Sequence, residues 1–184
     1  MSEVADRYRA VADGFTRRAE AVPDAAWDRP APCDGWVARD VVGHLVEWIP
    51  PFLHDGAGVE LPEGPSIATD PAQAWLAMSD GIQAVLDDPN QANRNFSHPH
   101  AGDHRLDEAI AMFILSDVLI HTWDLARATS LDEALDAAEV ARLFDGMQDV
   151  DELLRQSGQY GPKIDVDESA DLQTRLIAFT GRRP

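Results

Sequence analysis

The chain has 184 residues, 33 acidic against 15 basic side chains, a formal net charge of -18 and 45% apolar residues, the proportions of one compact acidic domain spanning residues 1–184. Such a surface repels phosphate backbones and anionic headgroups, which excludes nucleic-acid or membrane partners held through a basic face and leaves small molecules, cations and basic partners. A single cysteine, Cys33, excludes an internal disulfide framework, and no uncharged run exceeds Pro71 to Ser79; no signal-like or membrane-spanning segment is expected, and the expected compartment is the cytoplasm.

Helical spacing dominates. Ser2 to about Ala21 carries Val4, Tyr8, Val11 and Phe15 at steps of three and four and ends before Pro23, an amphipathic helix. A second helix follows the turn Pro32-Cys33-Asp34-Gly35, with Trp36 expected to staple onto Val41, Val37 as a cap that cannot accept a side-chain bond, and Asp40 in the first turn. Its stripe is Val41, Leu45, Trp48 and Phe52, and Pro50-Pro51 is expected to end or kink it. A Gly- and Pro-rich loop from Asp55 to Thr69 leads to Asp70-Pro71-Ala72-Gln73, the start signal of a third helix through Trp75, Met78, Ile82 and Leu86.

Pro89 to Asp103 has no helical period and reads as a long loop. Leu106 to Ala128 is the most apolar helix and belongs at the centre of the fold. Ser130-Leu131-Asp132-Glu133 reads as a capping box opening a helix that breaks near Gly146; Gly158 to Asp167 is a loop, and Ala170 to Phe179 a short terminal helix. Long helices without alternating β-branched runs predict an all-α antiparallel four-helix bundle with accessory C-terminal helices.

Polar residues on apolar stripes carry the functional information, because a buried group without a partner costs about 1–3 kcal/mol. His44 lies between Val41 and Trp48 on the second helix, with Glu47 three residues on. The central stripe Ile110, Ile114, Asp117, His121, Asp124 and Ala128 puts two acids and a histidine on one face of an apolar wall. Asp117 and His121, one turn apart, can converge on one divalent ion with His44 as third ligand. The competing reading is a hydrogen-bonded core network, with Asp117 and His121 as an ion pair and His44 bonded to a backbone carbonyl or Glu47.

The segments GWVARDVVGHLVEW (Gly35 to Trp48) and DVLIHTWDLARAT (Asp117 to Thr129), with the ending LIAFTGRRP (Leu176 to Pro184), resemble the DinB-like metal-binding proteins related to the N-terminal domain of mycothiol-dependent maleylpyruvate isomerase. The resemblance implies a four-helix bundle holding a divalent metal, typically zinc, through His44, Asp117 and His121, and a low-molecular-weight thiol, mycothiol, bound as thiolate. The activity so implied is that of a metal-dependent transferase or isomerase acting on a small electrophile. The isomerase carries a further C-terminal domain, whereas about 55 residues follow Thr129 here, and a metal-binding or small-ligand-binding protein without turnover is the alternative. Metal-dependent hydrolysis with Glu47 as base is the weaker one. A homodimer is left open.

Glu47 is the candidate general base, set against a solvating role at the bundle end. Asp124 reads equally as a fourth ligand or orienting group and as an i,i+3 partner of Arg127. His98, His100 and His104 lack a scaffold for a second metal and can line the mouth of the first; His54 reads as an exposed loop residue. Cys33 reads as a half-buried structural thiol rather than a nucleophile, and Trp36, Trp48 and Trp123 as core and staple residues.

Overall fold

The computed structural model describes residues 2–156, 158 and 160–184. Helix α1 (Glu3–Ala21) starts as its sequence predicts: the Ser2 hydroxyl accepts from the Ala5 N–H at 3.2 Å, and Tyr8, Val11 and Phe15 are buried. A tight turn then brings Pro30 opposite Val37, with Gly35 at φ 76° reversing the chain, a conformation that glycine adopts without steric cost. Helix α2 (Ala38–Ala57) begins at Val37, whose N–H donates to Asp40 Oδ2 at 2.8 Å.

Pro50 and Pro51 do not end α2, which runs a further six residues to Ala57. Each proline costs the helix one backbone bond, but Ile49 and Leu53 on the inner face are fully buried. Gly58, left-handed at φ 61°, closes the last turn through Gly58 N to His54 O, the bond of the αL motif, with Val59 N to Leu53 O beyond it. Helix α3 (Pro71–Asp87) is capped by Asp70, which accepts from Gln73 N at 3.0 Å.

The segment expected as a loop is ordered. It holds a short helix α4 (Pro89–Ala92) and an antiparallel hairpin of β1 (Asn95–His98) and β2 (Gly102–Arg105), with Phe96 opposite His104. Phe96 is the anchor: it is buried, its ring lies 4.9 Å from that of Phe52, and Gly56 on α2 leaves it the space. The strands are too short for alternation to show in sequence, so burial of one side chain decides them.

Leu106–Thr129 forms one helical run of 24 residues, made of α5 (Leu106–Ala109), a π-helical stretch Ile110–Leu115, and α6 (Ser116–Thr129). By length and composition it suits a membrane span, but 72% of its most apolar window is buried within the fold. Helices α1 and α2 each pack against both α3 and α6. Helix α6 ends at Ser130, which is left-handed at φ 62° and therefore closes one helix instead of opening the next. Helix α7 (Ala137–Asp149) starts at Asp136, whose carboxylate accepts from Ala138 N and Glu139 N, and runs through Gly146. The short α8 (Asp151–Gln156) and α9 (Leu172–Phe179) follow, α9 packing on α7. Apolar side chains from α1, α2, α3, the central helix, α7 and α9 join in one contiguous core.

Candidate metal centre

The facing stripes of α2 and α6 bring His44, Asp117 and His121 together, each offering a ligand atom, all within 4.8 Å of one another. His44 Nε2 lies 3.2 Å from Asp117 Oδ2, and His121 Nε2 lies 3.4 Å from Asp117 Oδ1. Ligands of one ion at bond lengths of about 2.0–2.1 Å in a tetrahedral arrangement sit about 3.3–3.4 Å apart; the donor set fits a divalent ion in type, and the two histidine distances to Asp117, one to each carboxylate oxygen, are close to that value. A carboxylate facing two imidazole nitrogens at these distances needs a hydrogen on each nitrogen or a metal ion between them. The side chains of Asp117 and His44 are 22% and 34% exposed, which leaves one side of the cluster open to solvent.

The surroundings orient the ligands. Trp48 Nε1 donates to Asp117 Oδ2 at 2.9 Å, so the indole holds the carboxylate as well as packing on Phe52. The ring of Trp36 stacks on His121 at 5.8 Å and tilts over His44 at 5.1 Å; its expected role as a staple is thus joined by covering both imidazoles. Asp124, completely buried, accepts from His121 Nδ1 at 2.8 Å, which leaves Nε2 as the nitrogen facing Asp117. That is the carboxylate-to-histidine support typical of metal-bound imidazoles.

Burial alone would push the Asp117 carboxyl up, but the charge of His121 and the bonds from both imidazoles outweigh it and hold the group well below the usual carboxylate range. Burial likewise opposes the charged form of His121, yet Asp117 and the bond to Asp124 keep its pKa well above that of a free imidazole. The half-buried Tyr160 has its hydroxyl pushed up to about 12 by burial, with the Asp117 charge adding to the shift.

Arg127 pairs with Glu133 at 2.6 Å and lies over the Trp123 ring, so of the two readings of Asp124 the pair with Arg127 is not formed, whereas the contact with the His121 ring is. Asp124 is instead forked by Arg182: Nε to Oδ1 and Nη2 to Oδ2, both 2.7 Å. Sequence reasoning missed Arg182, 58 positions away, whose only signal was its place in the ending TGRRP. Cys33, half-buried, reaches Asp124 Oδ2 at 3.5 Å and Arg182 Nη2 at 3.4 Å. Cys33, His121 and Asp124 form a second convergent set, but the guanidinium fork already supplies the cation there.

Glu47 is exposed, and among the described residues no hydrogen bond or ion pair joins it to the cluster. The His98 ring is tilted against that of Phe52 and His104 Nε2 bonds Ala101 O at 2.8 Å; among the described residues the loop histidines do not converge on a ligand point. His54 is exposed and pairs with Asp55 and Glu60.

The family profile described as mycothiol maleylpyruvate isomerase N-terminal domain matches residues 8–126. The chain belongs to this DinB-like family. The matched span contains His44, Asp117, His121 and Asp124 but stops before Arg182. No curated protein and no solved structure matches the chain.

Proposed function

We propose that this member of the family is a cytoplasmic protein holding a divalent metal, most simply zinc, through His44, Asp117 and His121. In this reading it acts as a transferase or isomerase that activates a low-molecular-weight thiol of the mycothiol type toward a small electrophile. The same reading takes residues 1–184 as one domain whose helices α1, α3, α2 and α6 make an antiparallel four-helix bundle, in accord with their pairwise packing. The observation that carries it is the Asp117 carboxylate standing between the Nε2 atoms of two imidazoles, 3.2 and 3.4 Å away, while Asp124 occupies the remaining nitrogen of His121.

When bound, such an ion lowers the pKa of a coordinated water or thiol toward neutrality. The chain's own groups supply the rest. Asp124 fixes the ring of His121, Trp48 fixes the Asp117 carboxylate, and Trp36 shields the imidazole pair from water on one face. The exposed side of His44 and Asp117 is where a small molecule reaches the cluster. Glu47, one turn beyond His44 and solvent-facing, is assigned the transfer of a proton between that side and bulk water.

The second reading is a metal-binding or small-ligand-binding protein without turnover, with Trp48 and both imidazoles bonded to Asp117 as a structural network. Metal analysis of the purified protein and of His121→Ala after zinc supplementation, followed by thiol titration, separates the readings. About one equivalent is expected in the wild type and little in the variant. A wild type without bound metal overturns the proposal, and metal without any thiol response leaves the binding reading.

A further inference from the structure

We propose that the C-terminal turn Gly181-Arg182 is a working part of the His121 site, with Arg182 as the positioning residue that fixes Asp124 and, through it, the imidazole. This role concerns the ring itself; its consequence for metal affinity rests on the function proposed above.

Asp124 is a carboxylate with no exposed surface on the most apolar helix of the chain, a placement that is costly unless the charge is paired and every lone pair is used. Arg182 meets both needs with a planar fork, one N–H to each oxygen at 2.7 Å. A two-point contact sets the plane of the carboxylate as well as its charge. Oδ2 is shared: it also accepts from His121 Nδ1 at 2.8 Å and from the Cys33 thiol at 3.5 Å. Rotating that carboxylate would therefore move the acceptor that aims His121 Nε2 at Asp117. With Trp36 stacked on the ring, the Asp124 bond at 2.8 Å is the shorter of two in-plane restraints on the imidazole, the other being Nε2 to Asp117 at 3.4 Å.

The delivery of Arg182 is equally determined. Helix α9 is docked on α7, with Phe179 set edge-on to Phe144 at 6.0 Å. Its end closes with Gly181 N to Ala178 O and Arg182 N to Ile177 O, and Gly181 takes φ 90°. A Cβ at Gly181 would stand 3.0 Å from Gly161 Cα and 3.1 Å from Pro162 O, so the turn needs glycine both for its dihedral and for its space. Arg182 thus arrives from an anchored helix end and lies outside the residues matched by the family profile.

The test compares Arg182→Met, Arg182→Lys and Arg183→Met, the last altering the exposed neighbour. Zinc affinity by chelator competition is expected to fall about 10–100-fold in Arg182→Met, the usual effect of losing an outer partner of a ligand. Arg182→Lys should recover only part of it, since an ammonium cannot fork, and the cobalt-substituted absorption spectrum should shift in both. Arg183→Met should stay within about twofold. In metal-free protein the His121 Nδ1–H should give a slowly exchanging NMR signal in the wild type that is lost in Arg182→Met.

Wild-type zinc affinity and an unchanged His121 signal in Arg182→Met overturn the proposal. Should the wild type bind no zinc, the proposed function falls while the NMR comparison still decides on Arg182. If Arg182→Met does not fold, Arg182→Lys, which keeps the stem and the charge, decides by the same two readouts.

Discussion

The apparent affinity of the His44, Asp117 and His121 site for zinc should rise with pH by one power of ten per unit through neutrality. In the metal-free protein His121 is held as an imidazolium well above its ordinary pKa, with Nδ1–H to Asp124 and Nε2–H to Asp117. Coordination needs the Nε2 lone pair, so this proton must leave. Asp117, held well below the usual carboxylate range, is already ionised and contributes none. The proton that His121 releases per ion is worth about 1.4 kcal/mol per pH unit, so through this group alone moving from about pH 6.0 to 7.5 strengthens binding about 30-fold. The slope flattens once pH passes the folded-state pKa of His121. Competition titrations across this range, with calorimetry in two buffers of different ionisation enthalpy to count protons, provide the measurement. A pH-independent affinity with no proton released would refute the assignment of His121 as a charged ligand.

Without metal, the raised pKa of His121 makes its ion pair a stabilising contribution that is present below the unfolded imidazole value and lost as pH climbs through the folded one. Urea midpoints of chelator-treated protein should accordingly fall on the alkaline side, and midpoints that rise there contradict the pairing. Trp48→Phe keeps the ring and removes the donor to Asp117, so it should cost about 1–2 kcal/mol in urea unfolding; no measurable loss denies that bond a role. Glu47→Gln should leave zinc affinity within about twofold and lower thiol-dependent turnover about 100-fold, and full activity removes Glu47 from the proposed chemistry. Gly56→Ala would place a Cβ 2.0 Å from the Phe96 ring; displacing this anchor should cost about 1–3 kcal/mol and speed hydrogen exchange in the hairpin, whereas wild-type exchange there would mean that Phe96 does not hold it.

Much of this arrangement was legible along the chain. Helices α1 and α3 start where Ser2 and Asp70 offer capping oxygens, because a cap is a contact between residues two or three apart. The stripe through Asp117, His121 and Asp124 was legible for the same reason: helical periodicity decides which side chains share a face. Where local signals compete, the chain alone misled. Pro50-Pro51 reads as a stop or a kink, and of the two the stop is not seen: buried Ile49 and Leu53 carry α2 onward to Ala57. Ser130 has the spacing of a capping box, yet Asp136, six residues later, is the cap in use. The hairpin escaped notice because its four-residue strands depend on Phe96 reaching α2.

The acidic balance of 33 against 15 and the helical periodicities thus determined the kind of surface, the helical class and the placing of His44, Asp117 and His121 on apolar stripes. Tertiary structure decided what surrounds them. That Trp48 bonds Asp117, that Trp36 covers two imidazoles, and that Asp124 answers to Arg182 rather than Arg127 are contacts between distant parts of the chain. No periodicity encodes such distances, because they follow from how packed helices bring their ends together. The many surface acids describe solvation, and the two that matter, Asp117 and Asp124, acquire their chemistry only from the partners that folding sets beside them.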